Sequence, residues 1–227
     1  VGERHPGGAA MRELPLFPLN TVLFPGMRLP LHIFEERYKL MIGECLEQSR
    51  PFGVVLIKSG SEVGGPAEPN LVGTSAVITH VERLDDGRMN LLAMGVRRFR
   101  IVDVSVRSGY LVGHVEDLEP PPDDPVELAE EAARVAGLFA EYFRLLLTLN
   151  GQWQRSIPLP GEPDALADHV AAFMDVDVLV KQDLLETESA LARLRKEADL
   201  LGDEILELYP RVEAFLRQRW SGFGVLN

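Results

Sequence analysis

Apolar residues in the first half of the chain recur mostly at every second position, and in the second half at every third or fourth. Leu14 to Leu19 is apolar but holds Pro15 and Pro18, each without an N–H, so it suits an edge strand or an extended lead-in. A Phe24-Pro25-Gly26 turn follows, and Met27, Leu29 and Leu31 alternate as a strand. Phe34, Tyr38, Met41, Ile42 and Cys45 fall at helical spacing and predict one apolar face of a helix. Phe52 to Ile57 reads as a short buried strand, and Lys58 to Asn70, rich in Gly and Pro, as a flexible loop. Alternating residues flank Leu84-Asp85-Asp86-Gly87-Arg88, the strongest hairpin signal in the chain, and a second hairpin is expected around Ser108-Gly109. About six strands with one early helix predict a small curled antiparallel sheet or partly open barrel over residues 11–118.

Residues 119–125 carry four prolines and read as a linker. Beyond them the period becomes helical. Asp124-Pro125-Val126-Glu127 supplies an N-cap, a proline at the first helical position and an acid three residues after the cap. Leu128, Ala132, Val135, Phe139, Tyr142, Leu146 and Leu149 form one stripe, and Asn150-Gly151 ends it. Further helices are expected over 165–174, 178–185 and 187–208, with Pro210 breaking the chain before a last one over 211–220. The fold class is therefore α+β: a β-rich subdomain followed by a helical bundle over 126–227.

Charge sharpens this division. Of the net −12, residues 1–118 contribute −1 (13 Lys and Arg against 14 Asp and Glu) and residues 119–227 contribute −11 (10 against 21). An acidic surface disfavours phosphate backbones and anionic membranes, so neither nucleic acid nor a lipid surface is expected as a partner. The single Cys45 permits no intrachain disulfide and suits a reducing compartment. No apolar run approaches a membrane span or signal segment, which makes the cytoplasm the default expectation. Residues 1–10, which precede Met11, are expected to be a disordered extension or tag.

Catalytic signals are missing. No lysine follows a glycine, as a phosphate-cradling loop requires, and Gly73-Thr74-Ser75-Ala76 lacks the second glycine of a nucleophile elbow. The triplets His80-Val81-Glu82 and His114-Val115-Glu116 each place an imidazole beside a carboxylate on one strand face, but ion-like contacts on a solvated sheet explain them without a metal. Neither a metal nor a cofactor is expected. Arg97-Arg98-Phe99-Arg100 has the look of a basic, aromatic RNA contact, and RNA binding is the alternative function. The preferred reading pairs at least one of Arg97, Arg98 and Arg100 with carboxylates such as Glu35 or Glu36, tying sheet to helix. Trp153 and Trp220 are candidates for packing onto the bundle or for partner contacts.

The run from Leu14 through Phe24-Pro25-Gly26-Met27 to Phe34-Glu35-Glu36-Arg37-Tyr38 resembles the opening of the N-terminal substrate-binding domain of ATP-dependent Lon proteases. Val72-Gly73-Thr74, Gly95 to Ile101 and Lys181 to Leu185 leading to Arg193-Leu194 are similar to the same family. The resemblance implies a β-rich subdomain of the PUA-like kind, as in cereblon, followed by a helical bundle. It also implies a non-catalytic module that binds unfolded or client polypeptides, as an adaptor or quality-control factor, with a Lon protease as a further partner. At this length the chain is expected to be a free-standing Lon N-domain protein. Weak, sequence-tolerant binding of apolar segments calls for exposed apolar side chains or open strand edges. Leu23, Phe24, Pro25 and Met27 are the expected peptide contacts, together with the 58–70 loop and the cleft between subdomains; the competing reading is that Phe24 and Met27 cap the sheet core.

Overall fold

The computed structural model describes residues 11–62, 67–152, 154 and 158–221. Residues 1–10, part of the expected 58–70 loop, Trp153 and the side chain of Trp220 lie outside the described residues. The elements in chain order are β1 (Arg12–Leu19), β2 (Arg28–Ile33), α1 (Glu36–Glu47), β3 (Phe52–Gly60), β4 (Ala67–Arg83), β5 (Met89–Arg107) and β6 (Tyr110–Asp117), then α2 (Pro125–Leu149), α3 (Pro163–Phe173), α4 (Val178–Glu186) and α5 (Ala190–Ser221). They form two compact units. One comprises the chain to Pro120 together with Asp175–Glu188, and the other Pro121–Met174 together with Ser189–Asn227. Residues 175–188, expected in the helical bundle, thus fold with the sheet. The Gln182 amide donates to the Val72 carbonyl at 3.1 Å, which holds α4 against β4.

The sheet runs in the order β2-β5-β4-β3-β1-β6, and β5 pairs again with β6. Among the described residues five strands therefore close on themselves and β2 keeps a single neighbour. Two expectations are corrected here. The sheet is mixed, because β1 and β3 are parallel, and β1 is an interior strand. Its prolines are tolerated because its two neighbours use different halves of it. Arg12 to Leu16 pair with β6, and Leu16 to Leu19 pair with β3. Pro15 and Pro18 each sit where one side of the strand is vacant, so a missing N–H breaks no ladder there.

The long strands bend at register shifts after Ser75 and Ile78 on β4 and after Ile101 on β5. Both predicted turns are present. Gly87 has φ +79°, and Ser108 and Gly109 both have positive φ, the geometry that matches the twist of the flanking strands. On one face of the sheet, the Phe17 and Tyr38 rings stack at 4.2 Å, beside Phe52 and the buried face of α1. Cys45 is on that face, where burial pushes its thiol up and leaves it inert. Phe34 departs from the expected helical stripe. It precedes α1 and is 47% exposed.

Gly95 makes the closest backbone approach in the sheet unit. Its N–H donates to the Met27 carbonyl and its carbonyl accepts from Gly26 N–H, both at 2.9 Å. A Cβ at this position would lie 2.3 Å from the Phe24 carbonyl oxygen. Gly95→Ala is therefore expected to cost about 1–3 kcal/mol in denaturant unfolding, and an unchanged midpoint would show that the turn can yield.

In the second unit the Asp124 carboxylate caps α2, accepting from the N–H groups of Val126 and Glu127. Ala132, Val135, Phe139 and Tyr142 are buried, as their spacing predicts. α5 runs parallel to α2. The pairs Arg195 with Glu127 and Tyr209 with Glu141 keep one constant separation of 68 residues. Pro210 does not break α5, against expectation. An interior proline costs about 3 kcal/mol, but Leu201, Ile205, Leu208 and Val212 form one buried stripe across it. Burying side chains of that size contributes about 1.5–3 kcal/mol each, and a break would forfeit the burial beyond Leu208. Among the described residues no helix is long and apolar enough to cross a membrane.

Candidate functional site

The expected peptide contacts divide between core and surface. Leu23 and Phe24 are buried, the latter completely, while Pro25 and Met27 are half-buried. The Thr74 hydroxyl donates to the Leu23 carbonyl at 2.6 Å, and Gly95 presses on Phe24, so this turn caps the sheet core. Leu23 and Phe24 are therefore buried rather than presented to solvent, and for Phe24 this is the core-capping reading.

The residues expected to tie sheet to helix meet the following partners. Glu35 accepts from Arg37 Nε at 3.1 Å, and Arg97 lies 3.5 Å from Asp117 and 3.6 Å from Glu119. Arg98 is 5% exposed and donates to the carbonyls of Leu185, Thr187 and Glu188 at the end of α4. Register explains the partners of Arg98, which sits opposite Thr74 on β4, the strand that carries α4. Arg100 pairs with Glu188 at 2.7 Å, and Phe99 is a core residue. Phe99, the aromatic of the cluster, is buried and presents no ring to a base. Of the two His-Val-Glu triplets, Glu82 accepts from the Asn90 amide and His114 lies 3.8 Å from Asp103. Among the described residues no three His, Cys, Asp or Glu side chains converge as metal ligands would.

What the sheet unit does present is the open side of β2. Among the described residues β5 is its one neighbour, so alternate backbone groups on the other side of β2 have no strand partner, although Pro30 in the middle of the strand supplies no N–H. A recess of about 240 Å³ opens there, floored by Phe17, Leu19 and Tyr38 and walled by Leu31, Ile33 and Phe34. Glu35 and Glu62 stand at its rim. Burial pushes the Tyr38 phenol up, so it stays neutral within the recess. On the outward face of the same strands Val77, Met94 and Val96 are exposed, with Met94 opposite both Val77 and Arg28. An extended chain could add to β2 through main-chain hydrogen bonds while an apolar side chain enters the recess.

Two local signals hide this edge. The spacing of Phe34 matches the buried face of a helix, and the two prolines of β1 mark that strand as the edge more strongly than the single Pro30 marks β2. A visible signal was the acidic pair Glu35-Glu36 directly after Phe34, which suits a helix start better than an interior and leaves Phe34 outside.

Comparison with known proteins agrees with this architecture. Residues 13–203 match the family model of the ATP-dependent protease La (LON) substrate-binding domain. A Lon protease of Anaeromyxobacter dehalogenans is 29% identical over 213 residues, which are 92% of this chain and 25% of that protein. Lon protease 2 of Myxococcus xanthus is likewise 29% identical over 213 residues, 92% of this chain and 26% of its own length. The chain thus spans about a quarter of the curated relatives it matches. The crystal structure of a Lon N-terminal domain protein from Xanthomonas campestris superposes with a TM-score of 0.63 at 30% identity, covering 82% of this chain and 96% of that one. The N-terminal domain of Mycobacterium avium complex Lon protease shares the fold, with a TM-score of 0.65 at 21% identity over 85% of this chain and 99% of that one. With its family match spanning both the sheet and most of the helices, this chain belongs to the ATP-dependent protease La (LON) substrate-binding domain family.

Proposed function

We propose that the sheet unit binds polypeptide substrates in extended form along β2, using the recess beside Phe34 for an apolar side chain. The observation that carries this reading is the conjunction of an unpaired strand edge with an apolar recess in a substrate-binding family. In this reading the chain recognises clients without hydrolysing ATP or peptide bonds, since the sequence holds neither a phosphate loop nor a nucleophile elbow. It acts in the cytoplasm as an adaptor or quality-control module, and delivers clients to a Lon protease.

Fluorescence anisotropy with a labelled, permanently unfolded model protein tests the proposal. Wild-type protein is expected to bind, and Phe34→Asp to weaken binding by about fivefold or more, with an unchanged melting temperature because Phe34 is exposed. Equal affinity of the two proteins would remove β2 as the site.

A further inference from the structure

A second surface of different chemistry lies in the helical unit. Between the parallel helices α2 and α5 runs a trough of about 540 Å³ with a floor of Ala198, Gly202 and Ile205. Leu138 and Leu206 form its walls, and Leu206 is 71% exposed. At 100° per residue the trough opens on the side of α5 away from Arg193, the residue that meets Asp164 and Asp168 of α3. α3 therefore leaves it uncovered.

Two features of the trough have no use within the fold. Gly202 is interior to a helix, where glycine costs about 0.5–1 kcal/mol relative to alanine, yet a Cβ there would meet nothing within 4 Å. A side chain there would fill part of the trough floor. Asp199 and Asp203 stand one turn apart on the rim and have no cationic partner among the described residues. Like charges at this spacing repel by about 0.2–0.5 kcal/mol. The one cation lining the trough, Arg134, is held by Glu131 at 2.8 Å.

We propose that this trough docks an amphipathic helix of another polypeptide, with its apolar stripe on Ala198, Gly202 and Leu206 and its Lys or Arg residues against Asp199 and Asp203. The geometry suits a helix. Positions 198, 202, 205 and 209 of α5 recur at spacings of four and three, and 134, 138 and 141 of α2 do the same, so two parallel ridges frame one groove. The charge specifies the partner, because a cationic helix relieves the repulsion along the rim while an anionic one adds to it. The surface is independent of β2 and recognises helical segments, whereas the edge takes extended ones.

The probe is a fluorescein-labelled synthetic peptide of about three heptads, with Leu on one face and Lys on the other. The full chain is expected to bind it, with affinity falling as salt rises, and to ignore the counterpart with Glu in place of Lys. Leu206→Glu and the double change Asp199→Lys with Asp203→Lys are each expected to weaken binding by about tenfold or more. All three positions lie on the surface, and circular dichroism melts verify that the variants fold. Phe34→Asp is expected to leave this peptide's binding unchanged. Equal binding of both peptides, or indifference to the trough variants, overturns the proposal. So does a wild-type dimer in sedimentation equilibrium that Leu206→Glu dissolves, since a second copy would then be the occupant.

Discussion

Replacing Arg98 by Ala is expected to lower the stability of the sheet unit by about 3–5 kcal/mol and to free the α4 segment for hydrogen exchange. The last carbonyls of a helix have no partner within it, and the negative end of its dipole lies there. At the end of α4 the Arg98 guanidinium meets this need, with Nη1 at 3.0 Å from the Leu185 carbonyl and 2.6 Å from that of Thr187, and Nη2 at 3.1 Å from that of Glu188. Truncation leaves the buried Leu185 carbonyl without this donor, a loss of about 1–3 kcal/mol, and removes two charge-assisted bonds to the partly buried carbonyls of Thr187 and Glu188. A lysine would not rescue the site, because one ammonium cannot span three acceptors as a planar fork does. Urea unfolding combined with hydrogen exchange over residues 175–188 measures both effects. A loss under about 1 kcal/mol with α4 still protected would show that Gln182 alone holds the segment.

The helical unit is expected to lose stability as pH rises from about 4.5 toward 9, and Glu197→Gln to abolish that loss. Glu197 is fully buried and neither carboxyl oxygen has a hydrogen-bond partner. Burial pushes its carboxyl up to about 9; the Arg193 guanidinium opposes the shift and Asp168 adds to it. One cation serves two buried carboxylates. Arg193 lies 3.0 Å from Asp168 and also approaches Asp164, so a second negative charge at Glu197 would be uncompensated. The folded state therefore keeps Glu197 protonated while the unfolded state releases that proton above its ordinary value of 4.5. The stabilisation is complete below 4.5, declines by at most about 1.4 kcal/mol per pH unit, and levels off above about 9. Other carboxylates slope the opposite way, as Asp123 does with its value held down by Ser189 and backbone N–H groups. The difference between wild-type and Glu197→Gln melting curves across pH isolates the one group. Parallel curves would mean that Glu197 is charged in the folded protein.

Local signals served well where the local backbone decides the outcome. Asp124 before Pro125 marks the start of α2, and Gly87 and the Ser108-Gly109 pair mark hairpins, because caps and positive φ are requirements of a few adjacent residues. They misled where distant partners compete. Pro15 and Pro18 read as an edge until the register shows β1 divided between β3 and β6. Pro210 reads as a break until the stripe beyond it is seen to be buried. At the candidate site, the motif from Phe24 to Tyr38 was visible in sequence. Which of its side chains face solvent was not, since Phe24 and Phe34 are both phenylalanines in an apolar run and only packing separates them.

Residue order is enough to read the change from a period of two to a period of 3.6 near Pro125, the acidic character of the second half, and the motif that relates the chain to Lon substrate-binding domains. These follow from residue types in order along one strand or helix. Tertiary structure alone decided that β2 carries the open edge, that Arg98 closes α4, and that α2 and α5 frame an acidic trough. Each of these joins residues far apart in the chain, and no local period specifies which of many compatible faces will meet.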